Sequence, residues 1–413
     1  MSAIEQVFLR KILDSRGQAT VEVDVVLAGG AAGRAAAPSG ASTGAHEVAA
    51  WPEGGVDAAL AGARKMLPSA LLGKDALRQR EVDEALAAVD GTPNFRRLGG
   101  NVATAVSLAV AKAAAASIRA PLYAYLGGHH PARMPHPFGN VLGGGAHAVG
   151  GTDIQEFMAV SLSPRAQDNV FSNAFVHKRV KELLKQRLPG AAIGKGDEGA
   201  WVAPIPDEEA LSIVAKACEE AESQFGFRIR PALDVAATEL YKEGKYRYRD
   251  GAKSTGEQVK FLARLVEEFD LYSVEDPLAE DDWDGWIELT RAVGRRCHVV
   301  GDDLFVTNLA RLKVGIEKGA ANAILIKPNQ IGTLTRTIDT IRHAHANRYE
   351  TVVSHRSGET TDETIAHVAV AFGSLGIKTG AVGGERIAKL NELIRIEERH
   401  GRSETGGSAM ASR

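Results

Sequence analysis

The feature that most constrains the fold is a series of six short apolar runs, each of which ends in an ionisable residue. These terminal residues are Asp234, Glu275, Asp302, Lys327, His355 and Lys378. Subtracting successive positions gives spacings of 41, 27, 25, 28 and 23 residues. Amphipathic stretches such as 256–269 and 333–346 lie between the runs. This repeat of strand, helix and two loops is typical of parallel β/α architectures.

The ionisable residues predict one convergent site. In a β/α barrel the active site lies at the C-terminal ends of the strands, and every predicted strand end here carries an ionisable group. A single charged residue after a strand usually begins a solvated loop, but six in series indicate a shared rim. The alternative is that each of the three carboxylates pairs with a nearby arginine.

The first part of the chain predicts a different, α+β arrangement. Residues 18–27 alternate apolar and polar side chains, and a Gly-Gly turn at 29–30 precedes another short strand. Helical patterns follow over 56–89 and 101–126, and 129–137 is rich in His and Pro, as a linker would be. We therefore expect three segments: an α+β capping domain over 1–130, a β/α barrel over 131–400 and a disordered polar tail over 401–413.

Composition excludes several function classes. The net charge of -3 gives no electrostatic reason to expect nucleic acid or an anionic membrane as a partner. Cys218 and Cys297 lack a CxxC spacing, and the N-terminus lacks the apolar core of a signal peptide, so a cytoplasmic protein is expected. Residues 101–126 are interrupted by charges and a proline, which favours a helix buried between domains over a membrane span.

The residue types at the predicted rim indicate a reaction class. Carboxylates brought close together require a cation, and oxygen ligands without nearby cysteine favour Mg²⁺ or Mn²⁺ over zinc. Two lysines beside such a cation disfavour each other's protonation, so one of them can serve as a neutral base. This combination suits removal of a proton next to a carboxylate, whose extra charge the metal neutralises. The residues alone do not identify the substrate.

Longer motifs resemble the enolase family from one end of the chain to the other. The matching strings are DSRG at 14–17, PSGASTG at 38–44, DIQEFM at 153–158, GDEG at 196–199, VEDPLAEDDWDGW at 274–286, GDDLFVTN at 301–308, LIKPNQIGTLT at 325–335, SHRSGET at 354–360, KTG at 378–380 and AKLNELIRIEE at 388–398. The resemblance implies a TIM-like barrel with an N-terminal capping domain. It also implies Mg²⁺-dependent, reversible dehydration of 2-phosphoglycerate to phosphoenolpyruvate, the glycolytic hydro-lyase reaction.

The resemblance also implies a role for individual residues. Asp234, Glu275 and Asp302 would bind a conformational Mg²⁺, and Ser42 would bind a second Mg²⁺ that arrives with the substrate. Lys327 would be the base and Glu198 the acid, with Glu156 beside it. The remaining contacts with substrate would come from Gln155, Lys378, Arg356, Ser357, His147 and His355. A homodimer or higher homo-oligomer is implied as well.

Several loops depart from the commonest enolase pattern and leave two other functions open. Gln18-Ala19 follows DSRG where Asn-Pro is usual, Ala200-Trp201 follows GDEG, and the string before His147 is also unusual. One alternative is a divergent enzyme of secondary metabolism, such as one making carboxyphosphonoenolpyruvate in phosphonate antibiotic biosynthesis. The other is a non-catalytic structural or binding role. That role would be accompanied by loss of site residues, yet every catalytic position is intact.

Overall fold

The computed structural model describes residues 1–40, 46–128, 133–148 and 150–404, and for His147 and residues 401–404 it describes the backbone alone. The first part of the chain forms a three-stranded antiparallel sheet and four helices. These elements are β1 (Ile4–Leu13), β2 (Ala19–Leu27), β3 (Ala32–Ala36), α1 (Gly55–Leu71), α2 (Gln79–Asp90), α3 (Gly100–Ser117) and α4 (Leu122–Gly127). The sheet order is β1-β2-β3.

The stretch predicted as one helix over 101–126 is two helices. Helix α3 begins one residue earlier and ends at Ser117, and the short α4 begins after Pro121. Helix α3 is buried, as its composition indicates, and packs against β2, β3 and two barrel helices. The helix predicted over 56–89 is two helices, because α1 ends at Leu71 and Gly73 follows in a left-handed conformation (φ +82°). Strand β1 lies at an edge of the sheet and was not predicted.

The second part of the chain forms the barrel and its helices. In chain order the elements are β4 (His136–Gly143), β5 (Glu156–Ser161), α5 (Ala166–Arg187), β6 (Gly194–Lys195), β7 (Trp201–Val202), α6 (Asp207–Phe225), β8 (Ile229–Asp234), α7 (Ala237–Leu240), β9 (Tyr241–Lys242), β10 (Lys245–Tyr248), β11 (Gly251–Lys253), α8 (Thr255–Glu268), β12 (Ser273–Glu275), α9 (Trp283–Val293), β13 (His298–Gly301), α10 (Leu309–Lys318), β14 (Ala323–Ile326), α11 (Pro328–Ile331), α12 (Leu334–Ala346), β15 (Glu350–Ser354), α13 (Thr364–Ala371), β16 (Gly376–Lys378) and α14 (Gly384–Glu404). A 3₁₀ turn spans Gly145–His147.

Eight of these strands close into a barrel, which confirms the predicted fold class. The order is β4-β5-β8-β12-β13-β14-β15-β16, and β16 pairs with β4 to complete the circle. Strand β5 runs antiparallel to both of its neighbours, while the other barrel pairs are parallel. The predicted linker was wrong at its end, since β4 already begins at His136, whose backbone amide donates to the Leu375 carbonyl.

Alternation along the barrel strands separates two apolar cores. In β14, Ala323 and Leu325 belong to a cluster with one or two residues from most barrel strands, and this cluster fills the barrel interior. Ile324 and Ile326, which alternate with them, belong to the larger core beneath the helices. The barrel is therefore packed rather than hollow, and any ligand must bind at its rim.

The two cysteines, Cys218 and Cys297, are both buried, free thiols.

Across the described ranges, no helix combines the length and the apolar character that crossing a membrane requires. The nine residues 405–413, part of the predicted polar tail, lie outside the description, and α14 is described as far as Glu404.

The close approach of β3 to α3 provides a test of the packing between sheet and helix. A Cβ added to Gly33 would lie 2.8 Å from the Cβ of Lys112 and nearer still to the α3 backbone. We expect Gly33→Ala to lower the free energy of unfolding by about 1–3 kcal/mol, because the crowded interface must move apart. Gly256→Ala is the control, since a Cβ there meets nothing within 4 Å and improves helix propensity. Equal urea midpoints for Gly33→Ala and the unsubstituted protein would contradict this packing.

Candidate active site

The six ionisable residues predicted at strand ends meet at one rim of the barrel. Three of them are the last residues of their strands and three follow their strands directly. Five of the six line one cavity, and the sixth, Glu275, accepts hydrogen bonds from Lys378 in its wall. Other predicted residues at this cavity are Gln155, Glu156, Glu198, Arg356 and Ser357. Ser42 lies outside the described residues, and the structure places only the backbone of His147, in the 3₁₀ turn that follows β4.

Three carboxylates form a row across adjacent strands. Asp234 on β8 pairs in register with Glu156 on β5 and with Glu275 on β12. Because β5 is reversed, its first residue reaches the same rim as the last residues of β8 and β12. All three side chains are buried, so each carboxylate has lost most of its hydration.

The ammonium group of Lys378 lies among these three carboxylates. Its Nζ donates to Asp234 Oδ2 at 2.8 Å and to both oxygens of Glu275 at 2.9 Å, and it lies 3.1 Å from Glu156 Oε1. Burial lowers the pKa of Lys378, but the surrounding carboxylates outweigh burial, so its pKa lies well above the usual value. Burial and neighbouring carboxylates raise the pKa values of Glu156 and Glu275.

The second lysine, Lys327, is fixed at both ends. Its backbone amide donates to Thr307 Oγ1 at 2.9 Å, and its ammonium group donates to Asp302. Gln330 Nε2 donates to the other oxygen of Asp302 at 2.9 Å. Burial, Arg356 and Lys378 lower the pKa of Lys327, but the carboxylates of Asp302 and Glu275 oppose them, and the net direction of the pKa is upward. The protein's own carboxylates thus oppose the downward shift that the sequence predicts for a lysine beside a metal ion.

The cavity wall carries far more carboxyl groups than cationic side chains. Its described lining holds three Lys or Arg side chains, which are Lys327, Arg356 and Lys378. It holds eight carboxylates, namely Glu47, Glu156, Glu198, Asp234, Glu239, Asp276, Asp302 and Asp303. A divalent cation would offset this excess, and the donor set consists of the carboxylate oxygens that Mg²⁺ prefers. The residues present therefore fit Mg²⁺.

A second acidic group lies beside the predicted ligands. Asp276, Asp302 and Asp303 each offer an oxygen, and these atoms lie within 4.8 Å of one another. However, Asp276 Oδ1 and Oδ2 already accept from the backbone amides of Asp302 and Asp303, each at 2.9 Å. Burial, together with Asp302, raises the pKa of Asp303 to about 7. Asp276 therefore holds the chain after β13 in place, and only Asp302 is common to this group and the predicted ligand set.

Glu198 reaches the cavity from the tip of the β6–β7 hairpin. Its Oε2 accepts from Asn140 Nδ2 at 3.2 Å and lies 3.4 Å from His355 Nε2. Burial lowers the pKa of His355 to about 3, with Arg386 adding to the effect and Glu198 opposing it. His355 is therefore a neutral ring next to the predicted acid.

A histidine and a tryptophan anchor the hairpin that carries Glu198. The Gly199 carbonyl lies 2.9 Å from His177 Nε2 and can only accept, so that this nitrogen carries the hydrogen. Trp201 Nε1 donates to the His177 carbonyl at 2.8 Å, and the two rings are 4.8 Å apart. Burial lowers the pKa of His177 to about 4. Trp201, which departs from the usual enolase string, thus has a structural role.

The predicted phosphate-binding residues, Arg356 and Ser357, line the same cavity. Arg356 Nη1 and Nη2 each lie 3.1 Å from an oxygen of Glu47, and Nη1 also donates to Asn329 Oδ1 at 3.0 Å. These contacts fix the orientation of the guanidinium group, whose planar set of donors suits two phosphate oxygens. Gln155 Nε2 lies 3.4 Å from Asp234 Oδ2, beside the carboxylate row.

Sequence reasoning missed several residues at this site. Glu47 follows the PSGASTG string by three positions, and Asp276 directly follows Glu275, so both motifs contained a signal for them. Asn140 lies within an apolar strand, and Arg386 lies in the first turn of α14, after the last strand. Neither position is marked by the strand-end spacing that identified the rim.

Two family models match the chain, and together they cover nearly all of it. Residues 4–126 match "Enolase, N-terminal domain", and residues 131–410 match "Enolase, C-terminal TIM barrel domain". Similar proteins include the enolase of Methanothermobacter thermautotrophicus, 55% identical over 403 residues, covering 96% of this chain and 97% of the relative. The enolase of Natronomonas pharaonis is 54% identical, covering 96% and 99%. That of Archaeoglobus fulgidus is 50% identical, covering 96% and 97%.

The buried His177 predicts how stability depends on acid. Its pKa is about 4 in the folded protein and near the ordinary 6.5 when unfolded, so the unfolded chain binds more protons between these values. Stability therefore falls as the pH drops from about 6.5 towards 4. The variant His177→Gln keeps a donor for Gly199 but has no ring to protonate. Between pH 7 and pH 5 its free energy of unfolding should therefore fall by about 2 kcal/mol less than that of the unsubstituted protein. Urea unfolding at both pH values measures this, and parallel losses would show that His177 does not titrate as described.

Proposed function

The chain belongs to the enolase family, and on this premise we propose that it is a phosphopyruvate hydratase. It catalyses the reversible, Mg²⁺-dependent dehydration of 2-phosphoglycerate to phosphoenolpyruvate. The observation that carries the proposal is the convergence of Lys327, Lys378, Glu198 and the carboxylate row on one cavity. Full-length relatives at 50–55% identity carry the name enolase, which does not favour the phosphonate-pathway or non-catalytic alternatives.

Asp234, Glu275 and Asp302 are the proposed ligands of the conformational Mg²⁺, and Ser42 is the proposed ligand of a second Mg²⁺ that accompanies the substrate. Bound Mg²⁺ would neutralise the charge that develops on the substrate carboxylate and would take up carboxylate charge that now raises the pKa of both lysines. The support is the composition of the cavity wall, which holds eight carboxyl groups but only three cationic side chains among the described residues.

Lys327 is the proposed base, and its Nζ takes the proton from C2 of the substrate. The anchoring of its backbone by Thr307 and of its ammonium partner Asp302 by Gln330 holds the amine at a fixed point of the rim. A base must lie within hydrogen-bond reach of its proton before its pKa matters, and this bracing provides such positional control. Lys378 holds the substrate carboxylate from the end of β16, which is separated from β14 by one strand of the barrel.

Glu198 is the proposed acid, which gives a proton to the departing C3 hydroxyl, with Glu156 beside it. Glu198 is buried and is held by Asn140, so its orientation does not depend on bulk water. Arg356, Ser357 and Gln155 bind the substrate's phosphate and polar groups, while His355 and His147 close over the substrate. Separate residues for base and acid allow proton removal and hydroxide loss to be measured separately.

The remaining family properties are also proposals. We place the protein in the cytoplasm, as a homodimer or higher homo-oligomer, with a small phosphorylated carboxylate as its partner. Exposed Phe8 and Leu13 on the edge strand β1 are apolar surface that contact between subunits would cover. The domain division at residue 130 follows the gap between the two family models.

The test follows two reactions of purified protein with 2-phosphoglycerate and Mg²⁺. One is the rise of the enol product's ultraviolet absorbance, and the other is replacement of the C2 proton by solvent deuterium. The unsubstituted protein should perform both, and EDTA should stop both. Lys327→Ala should abolish both, whereas Glu198→Gln should slow dehydration by about 10²–10⁴-fold and retain exchange.

Each contrary outcome has a distinct meaning. Exchange that survives Lys327→Ala would show that Lys327 is not the base. Equal loss of both reactions in Glu198→Gln would exclude a separate acid. No turnover by protein that still binds Mg²⁺ would overturn the substrate assignment and favour a phosphonate-pathway substrate.

Two isosteric variants distinguish the proposed ligand set from the neighbouring acidic group. Glu275→Gln removes a charge from the proposed set, and Asp303→Asn removes one from the other group. We expect Mg²⁺ to raise the melting temperature of the Asp303→Asn protein but not that of the Glu275→Gln protein, because Glu275 is a proposed ligand and Asp303 is not. Thermal unfolding with Mg²⁺ and with EDTA measures the difference. The reverse pattern would assign the site to Asp276, Asp302 and Asp303.

A further inference from the structure

Arg386 is a fully buried cation that the proposed mechanism does not use. It lies in the first turn of α14, and its side chain is 0% exposed. Its acidic neighbour is the adjacent Glu385, whose Oε1 lies 3.3 Å from Nε. Burying a guanidinium group is unfavourable unless its donors are satisfied, so the groups it contacts indicate why it is there.

The guanidinium group of Arg386 contacts two segments of the active site. Nη1 lies 2.7 Å from His355 Nδ1 and donates to the Arg356 carbonyl at 2.7 Å. Nη2 donates to the Ser357 carbonyl at 2.8 Å and reaches the Asp197 carbonyl at 3.5 Å. One side chain therefore joins the loop that follows β15 to the residue before Glu198.

The contact with Nδ1 determines the tautomer of His355. A guanidinium group has no acceptor, so His355 Nδ1 must be the acceptor in this pair. The hydrogen of the neutral imidazole is then on Nε2, which lies 3.4 Å from Glu198 Oε2. Burial and Arg386 keep His355 neutral, with a pKa of about 3, so this single hydrogen is the one that the ring presents to the acid.

Oε2 is the oxygen of Glu198 that faces the ring. Asn140 Nδ2 donates to it at 3.2 Å, and His355 Nε2 lies 3.4 Å from it. With its hydrogen on Nε2 the ring turns a positive edge towards this oxygen, whereas the other tautomer would turn a lone pair towards it. The tautomer of His355 therefore determines whether the ring stabilises or repels the carboxylate form of Glu198.

We propose that Arg386 is a positioning residue for the acid half of the reaction: it fixes His355 as the Nε2–H tautomer facing Glu198 and holds the backbone of Arg356 and Ser357. The inference rests on the proposed function, since it needs Glu198 to be the acid. Arg386 has no contact with Lys327 among the described residues, so removal of the C2 proton does not depend on it.

Arg386→Lys tests the proposal with the charge retained. An ammonium group is a compact point charge and cannot span His355 and two carbonyls as the planar fork does. We expect dehydration to slow by about 10²-fold, as for an impaired general acid, and exchange of the C2 proton to change less than about 3-fold. The KM for 2-phosphoglycerate should rise, because the backbone of Arg356 and Ser357 is also released.

Arg395→Lys is the matched control, because it makes the same substitution on the same helix at an exposed arginine that pairs with Glu392. Guanidinium chloride at low concentration should restore part of the dehydration rate to Arg386→Ala, and sodium chloride should not. A merely structural arginine predicts equal losses of exchange and dehydration. Equal losses, or unchanged dehydration in a folded Arg386→Lys protein, would overturn the proposal.

A measurement on the unsubstituted protein needs neither turnover nor a folded variant of Arg386. Selective ¹⁵N labelling of histidine distinguishes the two neutral tautomers by their nitrogen shifts, and the signal absent from His355→Asn assigns His355. We expect the Nε2–H tautomer at neutral pH. The Nδ1–H tautomer would exclude the role of Arg386 even if the enzyme dehydrates 2-phosphoglycerate. Failure of the proposed function would instead appear as no turnover with the Nε2–H tautomer intact.

Discussion

Lys378 lies among three buried carboxylates, and the electrostatics of the catalytic rim depend on that arrangement. Glu156, Asp234 and Glu275 stand in register across three strands, so strand pairing alone brings them together. Without a cation between them, three ionised carboxylates at such distances would oppose closure of the barrel at this point. One ammonium group offsets part of the charge, and the remaining excess is what makes the cavity suitable for a divalent metal.

The other functional groups depend on backbone contacts rather than on free loops. Asp276 fixes the amides of Asp302 and Asp303, Thr307 fixes the amide of Lys327, and Arg386 fixes the carbonyls around Arg356. Such bracing has a conformational cost, since Val306 and Thr307 are β-branched residues held at φ +43° and +55°. Strain of this kind persists only where the surrounding structure determines it, and it is common next to active sites.

The amino-acid sequence predicts the rim better than it predicts the bracing. Spacing alone places Asp234, Glu275 and Lys378 at strand ends, because the β/α repeat has a regular length. It does not predict the reversal of β5, since an apolar strand reads the same in both directions, and Glu156 was assigned by resemblance instead. Arg386 has no local signal, because its contacts come from residues far away in the sequence. The roles assigned to individual site residues stay predictions until the variants are measured.

The reversal of β5 also has a consequence for how the chain folds. Strands β4 and β5 form an antiparallel pair in which Gly143 lies opposite Glu156, so only a short loop must close before they join. Each parallel pair in the barrel is joined by a connection of more than twenty residues, and this connection must close before the two strands can pair. Loop-closure entropy grows with that separation, and native pairing of nearby segments is faster. The pair that begins the barrel is thus its most local contact, and it gives the later strands an edge on which to assemble.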